Sequence, residues 1–330
     1  MRPHEVTEIL NRQYGMIQYS DYNISPKSMQ LRQFHFSQFE YSKSLDRIRA
    51  AIVNMGKIIA SELKYRQVDV ISLTCGHGWH EFDLVNKIID NGDFFVRVFL
   101  VHPSYHLLQD GLRIFASKLH NPSNITIRPI IGSYQSIGSL RLFSPDLMNA
   151  RVRLFCIFAV FANEDNDDLL MRTLSKLFLP GDFLLIDIYI PQWDYFDEKQ
   201  VLVRDPRLNG ELSTYIVKGS QSYMEMTFKE HLLLPCEIGW SYQFRSNNSI
   251  HNRHSLTRDS ACEYYVEAIA SLDDGKSAPR QISAIRFNRH HHEMVINRFR
   301  QLGWAFVTKT ITERETNQPA AAACMLFRKI

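Results

Sequence analysis

The chain has 330 residues, of which 45% are apolar and 22% are charged, and its formal net charge is +3. This length is enough for one large domain or two modest ones, each with a buried core. The small net charge gives no reason to expect nucleic acid or an anionic membrane as a partner. No apolar run approaches the ~20 residues of a membrane span, and the N-terminal segment lacks the apolar stretch of a secretory signal.

Five cysteines are scattered along the sequence, and their number is odd. This pattern argues against a framework of disulfides and favours a reducing compartment. We therefore expect a cytoplasmic protein.

The N-terminal part of the chain is predicted to form a helical lobe over residues 1–65. Residues 1–34 have weak periodicity and are expected to be an irregular or short-helical arm. Residues 40–64 place apolar side chains three and four positions apart, which predicts an amphipathic helix with one buried stripe. That stripe consists of Leu45, Ile48, Ile52, Met55, Ile59 and Leu63.

Strands and helices are predicted to alternate over a core of residues 66–191. Continuous β-branched runs separated by helical segments indicate a parallel sheet covered on both faces. Right-handed crossovers then give a doubly wound, mostly parallel α/β fold. The predicted strands are 68–74, 94–101, 124–131, 151–160 and 183–190, and the predicted helices are 79–90, 104–118 and 166–178.

The alternation stops at Pro191, and the remainder is predicted to form two further parts. Residues 192–280 are interpreted as an inserted lid or substrate lobe, which ends in an antiparallel strand at 262–272. Residues 281–330 are predicted to complete the core sheet. Their elements are a strand at 280–287, a helix at 291–303 and strands at 304–312 and 322–330. The histidines of "NRHHHE" (288–293) are interpreted as a solvated helix start, because consecutive helical residues point in different directions.

The stretch "LTCGHGWHEF" (73–82) carries the main candidate site. Gly76 and Gly78 form a G-x-G turn between the first predicted strand and a helix, at the sheet edge where ligands of parallel sheets bind. A ligand-binding loop is favoured over a tight turn without a ligand. No catalytic residue stands out, since His77, His80 and His102 are all possible bases.

A zinc site at this loop is the less favoured alternative. Cys75, His77 and His80 have C-x-H-x-x-H spacing, and His102 is expected at the same edge of the sheet. Four such ligands could hold zinc. The turn does not fix their directions, so we expect a polar pocket wall and no metal. Asp187, inside a predicted buried strand, needs a partner and belongs either to a structural network or to the site.

Four segments resemble class I S-adenosylmethionine-dependent methyltransferases, and most of all the histidine-specific family of ergothioneine synthesis. They are "ISLTCGHGWHE" (71–81), "VFLVHPSYHLL" (98–108), "RPIIGSY" (128–134) and the long segment 153–191. The resemblance implies S-adenosylmethionine as cofactor and a small-molecule substrate. It places Gly76, His77, Gly78, Glu81, His102, Ser133 and Tyr134 at the cofactor. It places Asn163, Tyr189 and Trp193 at the substrate.

The sequence departs from this family at three acids, whose positions fall on Thr74, His102 and Ser133. A carboxylate accepts two ribose hydroxyls, whereas a neutral histidine offers one acceptor and one donor. Each lost contact is expected to weaken cofactor binding by roughly 1–3 kcal/mol. The residues that select histidine in the family fall around Ile285 and Phe287, so we expect a different amino-acid-like or other metabolite as acceptor.

The sequence is therefore compatible with two functions. The first is methyl transfer from S-adenosylmethionine to a small molecule. The second is a catalytically inactive pseudo-methyltransferase that acts as a binding or scaffold subunit. A homodimer or a protein partner is compatible with both.

Overall fold

The computed structural model describes residues 30, 39–63, 67–119, 122–132, 151–158, 167–189, 225–226, 237–246, 262–273, 280–290, 292–311 and 322–330. Its helices are α1 (Phe39–Glu62), α2 (Trp79–Asp90), α3 (Tyr105–Lys118), α4 (Asp167–Leu177) and α5 (His292–Gln301). Its strands are β1 (Gln67–Ser72), β2 (Phe95–His102), β3 (Ile125–Ile131), β4 (Val152–Ile157), β5 (Phe183–Tyr189), β6 (Glu237–Ser246), β7 (Cys262–Asp273), β8 (Arg280–His290), β9 (Trp304–Ile311) and β10 (Ala322–Lys329).

The main sheet has the strand order β3-β2-β1-β4-β5-β10-β9. Strands β1 to β5 are parallel, and β10 is antiparallel to both of its neighbours. Because β1 pairs with β2 on one side and β4 on the other, the direction of winding reverses there. This confirms the predicted doubly wound, mostly parallel α/β fold.

Alternate residues of the main strands enter two apolar layers, one on each face of the sheet. One layer contains Val68 and Val70 of β1 and the apolar faces of α1, α2 and α3. The other contains Ile71 of β1 and the apolar faces of α4 and α5. Side chains alternate between the faces of a strand, so each strand contributes to both layers.

Helix α1 packs into the first layer by the stripe that its spacing predicts. Ile48, Ile52, Met55, Ile59 and Leu63 are all buried. The side chain of Leu45 lies outside the described residues. None of the described helices combines the length and the apolar composition that crossing a membrane requires.

A second, antiparallel sheet has the order β6-β7-β8. Strand β6 lies inside the segment 192–280, where only 262–272 was predicted to be a strand, so the sequence analysis missed β6. The strand predicted at 280–287 was expected to complete the core sheet, but as β8 it pairs along its length with β7. Strand β7 ends at Asp273 and β8 begins at Arg280, so the two strands are neighbours in sequence and pair as a hairpin. The assignment of 280–287 to the core sheet overlooked this short connection.

The prediction that "NRHHHE" is a solvated helix start is wrong at His290. Strand β8 continues to this residue, which pairs with Cys262 of β7 and is fully buried. Helix α5 begins only at His292. His290 therefore ends a strand in the interior, and His292 begins a helix, although both residues have the same polarity.

Candidate functional site

The loop between β1 and α2 is held between the two strands that flank β1. The amide of Leu73 donates to the carbonyl of Cys156 at 3.0 Å, and the amide of Cys75 donates to the carbonyl of Val101 at 3.3 Å. The amide of Gly78 then donates to the carbonyl of Cys75 at 2.7 Å, which closes a tight turn. The loop thus lies at the point where the winding of the sheet reverses, which is where doubly wound sheets bind ligands.

Glycine is favoured at the two positions of this loop for different physical reasons. Gly76 has φ +48°, and a Cβ at this position would meet no atom of the described residues, other than its chain neighbours, within 4 Å. Gly78 has φ +80°, and its Cβ would lie 2.7 Å from the Cα of Gly111 in α3. Gly78 is therefore required for packing against α3, whereas Gly76 leaves open space beside the backbone.

Thr74 and His102 both make hydrogen bonds within the protein. The hydroxyl of Thr74 donates to the carbonyl of Phe158 at 3.1 Å. The amide of Ser104 donates to Nδ1 of His102 at 2.9 Å, and the His102 side chain is only 6% exposed. A ring nitrogen that accepts this bond carries no proton, so the neutral ring has its proton on Nε2.

Glu81 points into the interior between α2 and the sheet, not to the open edge beside Gly76. It is 1% exposed, and the hydroxyl of Ser72 donates to its Oε1 at 2.6 Å. Burial raises the pKa of Glu81 to about 8, although the bond from Ser72 lowers it, and the charge of Asp187 raises it further. The carboxyl group is therefore mostly protonated at neutral pH.

Glu81 belongs to a buried polar group on the α2 face of the sheet. Ser72 pairs with Cys156 across β1 and β4, and Asp187 pairs with Cys324 across β5 and β10. Burial raises the pKa of both thiols, with a further rise from Glu81 at Cys156 and from Asp187 at Cys324. The thiols are therefore protonated and unreactive, since the thiolate is the reactive form. Asp187 is buried and acts electrostatically on Glu81 and Cys324, and its role in a structural network or in the site stays a prediction.

The histidines of the loop turn towards separate neighbours. Nδ1 of His77 lies 3.3 Å from Oδ2 of Asp110 in α3. The ring of His80 stands edge-on to Phe158, with 5.5 Å between the ring centroids. In the described part of the chain, no group of three or more His, Cys, Asp or Glu side chains is placed to hold a metal ion.

Trp79, also in the quoted stretch, packs on the outer side of α2. The guanidinium of Arg49 lies 5.0 Å from the centroid of its ring, and the ammonium of Lys118 lies 4.5 Å away. These cation–π contacts join α1, α2 and α3 through one side chain. Trp79 therefore has a structural role in positioning the helices.

Several predicted site residues cannot be located. Ser133, Tyr134, Asn163 and Trp193 lie outside the described residues. Tyr189 is described by its backbone, which pairs with Ala322, but its side chain is not. Their assignment to the cofactor or the substrate stays a prediction.

No protein-family model matches the sequence, and no curated protein does. Solved structures with a similar fold include an S-adenosylmethionine-dependent methyltransferase from Clostridium acetobutylicum ATCC 824. The two sequences are 11% identical, and the similarity covers 91% of this chain and 98% of that chain, with a TM-score of 0.43. A second, from Methanosarcina mazei, has 11% identity over 83% and 97%, with a TM-score of 0.45. Magnesium protoporphyrin IX methyltransferase from Synechocystis PCC 6803, with bound S-adenosylhomocysteine, has 7% identity over 94% and 96%, with a TM-score of 0.47. These similarities are at the level of the fold.

Proposed function

We propose that the chain binds S-adenosylmethionine at the Gly76 loop and transfers its methyl group to a small molecule other than histidine. The observation that carries the proposal is the open space beside Gly76, at the point where the winding of the sheet reverses. Among the described residues, no side chain lies where a nucleoside would approach the backbone of Gly76. The resemblance of four sequence segments to class I methyltransferases supports this choice of ligand.

The residues of the loop fit such a ligand in part. Gly76 gives the backbone access, and His102, at the end of β2, is the residue proposed to lie beside the ribose. When bound, S-adenosylmethionine supplies an activated methyl group. The chain has to hold the acceptor in line with that group, which is mainly a matter of positioning. Asn163, Tyr189 and Trp193 are the residues proposed for this task.

A catalytically inactive binding or scaffold subunit is the second candidate function. The observation in its favour is that Thr74 donates to Phe158 and that His102 accepts from Ser104. Both positions, which carry carboxylates in the family, therefore satisfy part of their hydrogen-bonding capacity inside the protein. Such replacements lower the expected affinity for the ribose.

Titration calorimetry with S-adenosylmethionine and S-adenosylhomocysteine separates the two candidates. We expect micromolar binding of both compounds if the Gly76 loop is a cofactor site. Absence of heat at millimolar concentration would contradict the first proposal and favour the second.

The variant His102→Asp tests the position of the ribose. A carboxylate has two oxygens, so one can accept from Ser104 while the other accepts from a ribose hydroxyl. We expect roughly fivefold to tenfold tighter binding of S-adenosylhomocysteine in calorimetry, because hydrogen bonds to charged groups are stronger. His106→Asp, which adds the same charge on α3, is the matched control. Weaker binding of His102→Asp than of wild type would show that the ribose lies elsewhere.

A further inference from the structure

His80 has a buried ring nitrogen without a partner. It lies in the first turn of α2, directly after the glycine loop. The residue as a whole is partly exposed, but its Nδ1 atom is buried and has no hydrogen-bond partner among the described residues. An unsatisfied buried nitrogen costs roughly 1–3 kcal/mol, so such an atom in a native protein requires an explanation.

The two charged groups near His80 form an ion pair with each other. Arg49 of α1 and Asp83 of α2 both act on the ring electrostatically. Arg49 donates to both carboxylate oxygens of Asp83, at 2.6 and 3.2 Å, in a bidentate pair. Burial lowers the pKa of His80 to about 4, while Asp83 raises it and Arg49 lowers it by smaller amounts. The ring is therefore neutral at physiological pH.

The contacts of His80 place its ring close to the proposed ligand site. Its ring packs against Phe158, the residue that directly follows β4. The carbonyl of Phe158 accepts from Thr74 in the glycine loop. His80 and Phe158 thus lie at the carboxyl ends of β1 and β4, where the sheet reverses its winding.

We infer that Nδ1 of His80 binds a hydroxyl or a neutral amine of the methyl acceptor, with Phe158 packing beside that group. A hydroxyl and a neutral amine can each donate and accept, so either one satisfies Nδ1 in both tautomers of the ring. A carboxylate only accepts, and a neutral imidazole gives it no ion pair. The inference names the acceptor class for the proposed methyl transfer and so rests on that function.

Three variants separate a binding role from a structural one. His80→Phe keeps a ring on Phe158 but removes both nitrogens. His80→Asn keeps a polar atom near the place of Nδ1, and His106→Phe on α3 is the matched control. We expect His80→Phe to unfold at an equal or higher denaturant concentration than wild type, since it removes an unsatisfied atom. A loss of stability relative to His106→Phe would overturn the inference, because Nδ1 would then have a partner within the protein.

Binding is tested with benzyl alcohol and benzoate, which differ in carrying a hydroxyl or a carboxylate on the same ring. Binding is monitored by the ¹⁵N NMR signals of the histidine rings of the protein, at millimolar concentrations of each ligand. We expect benzyl alcohol to shift the His80 signals of wild type. We expect its affinity to be roughly twofold to tenfold lower in His80→Phe and partly restored in His80→Asn. No shift with benzyl alcohol, or equal binding of benzoate, would overturn the inference.

These measurements need no cofactor, so their failure can be distinguished from that of the proposed function. Calorimetry of wild type and His80→Phe with S-adenosylhomocysteine reports on the cofactor site alone. We expect equal affinity in both proteins. A cofactor affinity that falls in His80→Phe would place the residue at the cofactor and contradict its assignment to the acceptor.

Discussion

The buried carboxyl group of Glu81 makes folding dependent on pH. Its pKa is about 8 in the folded protein, against 4.5 as the ordinary value, because burial disfavours the charged form. The folded state therefore binds more protons than the unfolded state between these two values. The contribution of this group to stability is fully present below the lower pKa and is lost as pH rises to the upper one.

We expect Glu81→Gln to remove this loss of stability. Glutamine keeps an oxygen that accepts from Ser72 but does not ionise. The variant should be more stable than wild type at about pH 9, by on the order of a few kcal/mol, and nearly equal to it below about pH 4.5. Denaturant unfolding at both pH values measures the difference. Glu62→Gln, at an exposed position of α1, is the control, and parallel pH profiles for Glu81→Gln and wild type would contradict the prediction.

At the scale of elements, α2 is placed by the close approach of Gly78 to Gly111 in α3. The Cα of Gly111 lies where a Cβ on Gly78 would stand, at 2.7 Å, and both partners of this contact are backbone. Backbone cannot move aside as the end of a flexible side chain can. The contact fixes the start of α2, and with it the ring of His80 and the carboxyl group of Glu81.

We expect Gly78→Ala to destabilise the protein more than Gly76→Ala. Both changes put alanine at positive φ, which costs roughly 1–2 kcal/mol. Gly78→Ala adds a steric overlap with Gly111, which costs about 1–3 kcal/mol more. Equilibrium unfolding in urea measures both variants. Equal losses of stability would mean that α2 and α3 separate at little cost.

The regular alternation of the core was predictable because its strands are buried on both faces. Such strands read as continuous apolar runs, and the observed bounds of β1 to β5 differ from the predicted ones by at most three residues. Strand β6 also had a signal, because Ile238, Trp240, Tyr242 and Phe244 alternate at period two. That alternation was overlooked inside a segment rich in aromatic and turn residues. The pairing of β8 with β7 also had a signal, because only a short connection separates the two strands and such a connection favours a hairpin.

The position of the Gly76 loop between β1 and α2 was predictable, but the directions of the side chains around it were only partly so. Glu81 shares the spacing of Leu84, Val85 and Ile88, which are buried on one face of α2. That spacing of three, four and seven indicates an inward side chain, although the resemblance placed Glu81 at the cofactor. The bonds of Thr74 and His102 depend on backbone groups whose positions only the folded chain defines.

At the scale of the whole molecule, the main sheet joins two apolar layers that contain helices from both ends of the chain. Ile52 of α1 is fully buried in one layer, and Ile296 of α5 is 1% exposed in the other. The strands between them contribute alternate side chains to both layers. Loss of packing in either layer therefore weakens the same sheet, and we expect α1 to unfold together with the core.

We expect Ile52→Ala and Ile296→Ala each to lower the free energy of unfolding by about 2–5 kcal/mol, because each leaves a cavity in a packed core. Since the two residues lie on opposite faces of the sheet and share no contact layer, their effects should add to within roughly 0.5 kcal/mol in the double variant. Calorimetry and circular dichroism should report a single transition that shifts in each protein. A separate early transition in Ile52→Ala, with the main transition unchanged, would instead support an N-terminal lobe over residues 1–65 that folds by itself.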